Sequence, residues 1–284
     1  MTNNTTLSFS MPSGACNAHL HIIDPKFPND GKAAEQIGTV ETYKTIAEQL
    51  HLDRAVFVQA KTFGCDNTCL LDAIEKYGRK KCVGIAVITN ETSNAELKRL
   101  NDGGIKGVRF SVWNPANAVV SFDECLPLSN RVFDYDWNIQ LHMSAKQLVE
   151  RIEVIKQIPG KIVIDHMGRM DPHLGINDPA LSVLLELIDR GNVWVKISGP
   201  YLNTVKGFPW NDSDELARKI ASYAPERIVW GSDFPHVTEK VKPDETYLTN
   251  MLTRWIPDEK TRKLALVTNP EELYGFGKKV DARR

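Results

Sequence analysis

Short, nearly continuous runs of apolar and β-branched residues recur along the chain. Each is followed by a longer stretch in which apolar positions return every three or four residues. The short runs are ACNAHLHII (15–23), RAVFVQA (54–60), KCVGIAVI (81–88), KGVRFSV (106–112), NIQLHM (138–143), KIVIDH (161–166), NVWVKIS (192–198) and RIVWGSD (227–233). Apolar runs of this length, alternating with helical stretches, mark parallel strands covered by helices. The intervening stretches include TVETYKTIAEQL (39–50), SNAELKRLNDGG (93–104) and DPALSVLLELIDRG (178–191). Many open on Ser, Thr, Asn or Asp and several close on Gly, the residues that cap helices. A last helix is expected over 257–275, after the eighth strand. Eight strand–helix units without a break in composition predict an α/β fold, a single (β/α)8 TIM barrel over 14–284, preceded by a flexible N-terminal arm over 1–13. The open, doubly wound alternative needs a glycine-rich turn after its first strand to bind a dinucleotide, and HLHIIDPKFP stands there instead.

Composition removes several function classes. The 284 residues carry 35 Lys+Arg against 36 Asp+Glu, a net charge of −1, so there is no basic surplus for nucleic acid. The longest apolar runs, such as VGIAVI (83–88), are far short of the ~20 residues of a membrane span. The opening MTNNTTLSFSMPSG lacks the basic and apolar regions of a secretory signal. Five cysteines (Cys16, Cys65, Cys69, Cys82 and Cys125) lie in or beside apolar segments and are expected as reduced, buried or half-buried thiols in a cytoplasmic protein. KKVDARR (278–284) reads as a solvated basic tail.

In a barrel of this kind, chemistry collects where the strands end. Strand one ends with His19 and His21, two positions apart and therefore on one face. Strand five ends at His142, strand six at Asp165-His166, and strand eight at Asp233, with His236 three residues on. Taken singly, each has a bland reading: a polar stripe, a hydrogen-bonded core histidine, a helix cap. Jointly they put His or Asp at the end of four strands on one rim, which several independent accidents would have to explain.

This pattern resembles the amidohydrolase superfamily, and within it the lactonase-like branch that contains the 2-pyrone-4,6-dicarboxylate lactonases. The segments that carry the resemblance are ACNAHLHIID, FVQAKTFGCDN, GVRFSV, IDHMGR, GNVWVKISG, RIVWGSDFPH and NPEELYGF, spread over about residues 14–276. It implies hydrolysis of a cyclic ester, with Asp233 taking a proton from water while His19, His21 and His166 polarise the carbonyl and hold the oxyanion. A strand-end carboxylate as base and a ring of imidazoles as an electrostatic trap make sense on physical grounds as well. One divalent ion, zinc or manganese, could be held by His19, His21, His142 and Asp233. The lactonases most similar to the chain are expected to work without metal, so the cofactor stays open at this point. No lysine ends strand five to bridge two ions as a carbamate.

Arg109 and Arg169 lie near strand ends, where guanidinium forks suit carboxylates, and point to a small anionic lactone as partner. Pro115 and Gly199-Pro200-Tyr201-Leu202 stand where the pyrone-dicarboxylate enzymes are expected to carry further arginines. Lys61, Tyr201, His142 and His236 are further candidates for contact with substrate, and Trp113 and Trp210 for closing the barrel top. The expected activity is therefore hydrolysis of a carboxylated lactone. A metal-dependent decarboxylase of a carboxylated ring, a sugar-acid lactonase and a binding protein that has lost its chemistry are the rivals.

Overall fold

The computed structural model describes residues 6–276. All eight runs become strands: β1 (Cys16–Leu20), β2 (Arg54–Val58), β3 (Cys82–Ala86), β4 (Ile105–Ser111), β5 (Asn138–His142), β6 (Ile162–Ile164), β7 (Val193–Ile197) and β8 (Ile228–Trp230). Each pairs in parallel with the next. The eighth side, between β8 and β1, is closed just beyond the strand ends. Asp233 N–H donates to the His19 carbonyl at 2.9 Å and His21 N–H to the Phe234 carbonyl at 2.7 Å. Below them, Asn17 Nδ2 donates to Ser232 Oγ at 2.9 Å and Ser232 N–H to Asn17 Oδ1 at 3.0 Å. Gly231 makes this approach feasible, since a Cβ there would stand 2.5 Å from the Cβ of His19. The fold is a single (β/α)8 barrel.

The covering helices are α1 (Val40–Gln49), α2 (Thr68–Tyr77), α3 (Asn94–Asp102), α4 (Cys125–Val132), α5 (Ala145–Ile155), α6 (Pro179–Asp189), α7 (Asp214–Tyr223) and α8 (Glu245–Trp255). Side chains of Thr39, Ser93, Ser144, Asp178 and Asp244 accept from backbone N–H groups at the starts of α1, α3, α5, α6 and α8, as cap chemistry demands. The sequence reading missed α8. It also expected one helix over 257–275, whereas that stretch forms α9 (Glu259–Lys263), a π-helical turn (Leu264–Thr268) and α10 (Asn269–Tyr274) in direct succession. No helix among the described residues is long and apolar enough to cross a membrane.

Residues 6–13 lie against α8: Ser8 N–H donates to Asn250 Oδ1 at 2.7 Å, and Asn250 Nδ2 to the Thr6 carbonyl at 2.9 Å. The tail over 278–284 lies outside the described residues. Cys16, Cys69, Cys82 and Cys125 are buried free thiols, but Cys65 is exposed, because it sits in the loop before α2 and not on the helix.

Inside the barrel the filling is divided. Ala18, Val56, Val58, Val83, Ile85 and Val229 form an apolar cluster that Leu273 and Tyr274 of α10 join. On the β4–β7 side the interior carries Arg109, Asn138, Gln140, Asp165 and Lys196, all nine-tenths or more buried. Burial of this much polarity is tolerable only where partners are supplied.

Candidate active site

Four imidazoles cross the mouth of the barrel in a row, His21, His19, His166 and His142, with successive ring centroids 5.1, 4.7 and 5.2 Å apart. Their outer nitrogens are pinned: His21 Nδ1 lies 2.9 Å from the Val58 carbonyl, His166 Nδ1 2.9 Å from Ser198 Oγ and His142 Nδ1 2.9 Å from Ser111 Oγ. A carbonyl only accepts, so His21 carries its proton on Nδ1 and has Nε2 turned inward. His19 Nε2 and His21 Nε2 approach the same oxygen, Asp233 Oδ1, at 3.4 and 3.5 Å. Nε2 of His19 and of His142 are buried with no hydrogen-bond partner among the described residues, the condition of groups built to meet a ligand.

Burial alone would raise the Asp233 carboxyl, but the imidazoles of His166, His19 and His21 outweigh it and hold the group well below the ordinary carboxylate range. Burial pushes His166 and His142 well below the ordinary imidazole value. His21 is lowered too, chiefly by burial. The site is thus an ionised carboxylate facing a wall of imidazole rings. It sits on unusual backbone: His166, Met167, Arg169, Asp233 and His236 all have positive φ, a concentration typical of functional sites.

Beneath the row lies an ion network that the sequence reading did not assign. Lys196, wholly buried on β7, lies 2.8 Å from His19 Nδ1, 2.5 Å from Gln140 Oε1 and 3.1 Å from Asp165 Oδ1. Arg109 Nε donates to Asp165 Oδ2 at 2.8 Å. Burial works against the Asp165 anion, but the charges of Lys196 and Arg109 outweigh it and keep its carboxyl well below the usual range. Burial brings Lys196 down to about 8 despite Asp165. A lone lysine inside the apolar run VWVKI was the available signal, since a cation there requires a counter-charge.

The rim supplies the rest. Tyr201 donates to Asp233 Oδ2 at 2.7 Å and lies 2.9 Å from His236 Nδ1; His236 Nε2 in turn lies 2.8 Å from Glu245 Oε1 on α8. Arg169 stacks over the Trp113 ring, 4.5 Å from its centroid, and burial lowers its guanidinium to about 10. Lys61 is exposed and lines a small crevice with Gln59, Arg109 and Ser111. Trp210 is buried and Trp113 is 47 % exposed. Arg109 has its Nε committed to Asp165, so only the Nη side of its fork is free to meet a ligand.

The four-residue metal set does not come together as one cluster. Ligand atoms of His19, His21 and Asp233 lie within 4.8 Å of one another, and His142 is outside that group, on the far side of His166. The 3.4–3.5 Å spacings match the edges of a tetrahedron of zinc bonds. Whether His19 joins His21 and Asp233 there turns on which of its nitrogens carries the proton, and its Nδ1 faces Lys196 Nζ at 2.8 Å.

A family profile for amidohydrolases matches residues 16–276. The chain belongs to the amidohydrolase family. This enzyme, a hydrolase, is 32% identical to a 4-sulfomuconolactone hydrolase of Rhizobium radiobacter, over 95% of this chain and 92% of the relative. It is 30% identical to a 2-pyrone-4,6-dicarboxylate hydrolase of Comamonas testosteroni (96% and 93% covered) and 29% identical to a D-galactarolactone isomerase of Agrobacterium fabrum (93% and 92%). Among solved structures, an Agrobacterium tumefaciens protein in its apo form superimposes with a TM-score of 0.88 at 28% identity, covering 97% of this chain and 98% of that one.

Proposed function

We propose that this amidohydrolase opens a small anionic lactone with water. The observation that carries the reading is the state of Asp233: an ionised carboxylate with Oδ2 held by Tyr201 and Oδ1 turned to the imidazole row. A water beside Oδ1 gives up its proton as its oxygen attacks the lactone carbonyl. Negative charge then develops on the carbonyl oxygen, where the unpartnered His19 Nε2 is placed to donate, with His166 beside it. As the tetrahedral intermediate collapses, the ring C–O bond breaks and the leaving oxygen takes the proton back from Asp233. The product is a ring-opened hydroxy acid, or its keto tautomer where the ring carries an enol ester.

Arg169, backed by Trp113, and the free side of the Arg109 fork, with Lys61 near it, give the mouth a positive wall suited to a carboxylate or sulfonate on the ring. The three relatives act, by name, on a sulfonated lactone, a pyrone dicarboxylate and a sugar-diacid lactone, each of which carries an acid group. The deciding experiment follows proton release over sulfomuconolactone, pyrone dicarboxylate and galactarolactone, with neutral lactones as controls. Turnover of at least one anionic ring and none of the neutral ones is expected. Release of carbon dioxide, or ring migration without net hydrolysis, would replace the reading with decarboxylation or isomerisation.

A further inference from the structure

Hydrogen-bond direction can be traced through the barrel interior from one fixed point. The Lys106 carbonyl only accepts, so Asn138 Nδ2, 2.6 Å away, donates to it and Asn138 turns its oxygen inward. That oxygen accepts from Gln140 Nε2 at 2.9 Å, which turns Gln140 Oε1 toward Lys196 Nζ at 2.5 Å. The Asp165 carboxylate is the counter-ion of Lys196, with Oδ1 3.1 Å from Nζ but without a hydrogen-bond partner among the described residues. An ammonium has three N–H groups and no lone pair, and the third neighbour of Lys196 is His19 Nδ1 at 2.8 Å. With a proton on Nδ1, two donors would face each other at that distance, and Asp165 Oδ1, the other acceptor beside Nδ1, is 3.6 Å away.

We infer that Lys196 is a positioning residue that fixes the tautomer of His19, forcing its single proton onto Nε2. There it makes the ring a donor toward the reacting centre and denies that nitrogen to a metal ion. His19, His21 and Asp233 are otherwise spaced for a divalent cation, and His21 already presents a free Nε2. Lys196 is therefore what separates an imidazole-lined hydrolytic site from a three-ligand metal site on the same frame. The inference deepens the lactonase reading, in which His19 donates to the oxyanion, but it is tested without substrate.

Two readouts decide it. In long-range 1H–15N spectra of protein labelled at histidine, with the His19 signals assigned by loss in His19→Gln, wild type is expected to show the Nε2–H form. Chelator-washed wild type, exposed to excess zinc and desalted, is expected to retain less than a tenth of an equivalent. In Lys196→Met, Nδ1 loses its donor, the proton moves to Nδ1 toward Asp165, and zinc is expected to be retained at about one equivalent, at least 100-fold tighter than in wild type. That gain should vanish in Lys196→Met/His21→Gln. An Nδ1–H form in wild type, or stoichiometric zinc in wild type, would overturn the inference whether or not the variant folds. If the variant folds and binds no more zinc than wild type, that too would overturn it. Failure to open any lactone would leave both readouts intact, so the two readings can fail separately.

Discussion

Tyr201 donates its hydroxyl to Asp233 Oδ2 at 2.7 Å, and so leaves Oδ1 as the oxygen that faces His19 and His21. The carboxylate is both anchored and aimed by this one bond. Tyr201→Phe is expected to lower kcat about 10- to 100-fold, the range for a lost hydrogen bond to a charged group, with KM little changed. Steady-state kinetics on the active lactone check this. A change confined to KM would make Tyr201 a substrate contact instead.

Asp233→Asn keeps the shape of the side chain and removes its basicity. The loss expected in kcat is about 10²–10⁴-fold, with the far-UV spectrum unchanged. Turnover close to wild type would move the role of base to another group.

Arg169→Met should raise KM for an anionic lactone about tenfold while kcat holds, the mark of binding made equally in ground and transition states. Steady-state kinetics of both proteins on the active lactone decide it, and a fall in kcat with KM unchanged would give Arg169 a part in the chemical step instead.

How much of this could be read from the sequence follows from where each residue gets its meaning. The barrel was legible because each strand and helix announces itself locally, by apolar period and by caps such as Ser93 and Asp178. His19, His21, His166 and Asp233 were legible because strand ends share one rim, and the structure brings these four together. His142 was placed at the right strand end, but rim membership does not fix distance, and His166 stands between it and the proposed ion site. Lys196 and Gln140 were not legible as site residues, since their importance lies in partners on other strands. Glu245 escaped notice with the whole of α8, whose pairing to His236 no local pattern reveals.

Asp165 ties stability to pH. Its carboxyl is held well below the usual range, so its contribution is full above the ordinary carboxylate value near 4 and is lost as pH falls through the depressed folded value. Asp165→Asn leaves Lys196 and Arg109 without their counter-ion and is expected to cost about 3–5 kcal/mol at pH 7. Urea titrations at pH 7 and pH 3 should show the gap between variant and wild type narrowing at the lower pH. An equal gap at both would detach Asp165 from the acid response.

Gly231→Ala would place a Cβ 2.5 Å from His19 Cβ and 2.7 Å from its backbone nitrogen. One of the two chains must yield, at about 1–3 kcal/mol. Since Asp233 follows two residues later, the displacement should reduce kcat by more than the fall in Tm implies. Melting curves and kinetics on the same preparation test it.

The join between β1 and β8 also bears on when the protein can act. Asn17 and Ser232, which bond across it, are 215 positions apart in the chain, and Asp233, the proposed base, flanks that same join with His19 and His21. During synthesis, a nascent chain that has already laid down seven strands still lacks Asp233 opposite His19 and His21. Activity should therefore arrive in one step, with the last strand, and a fragment ending before residue 228 should be inert however well its helices form.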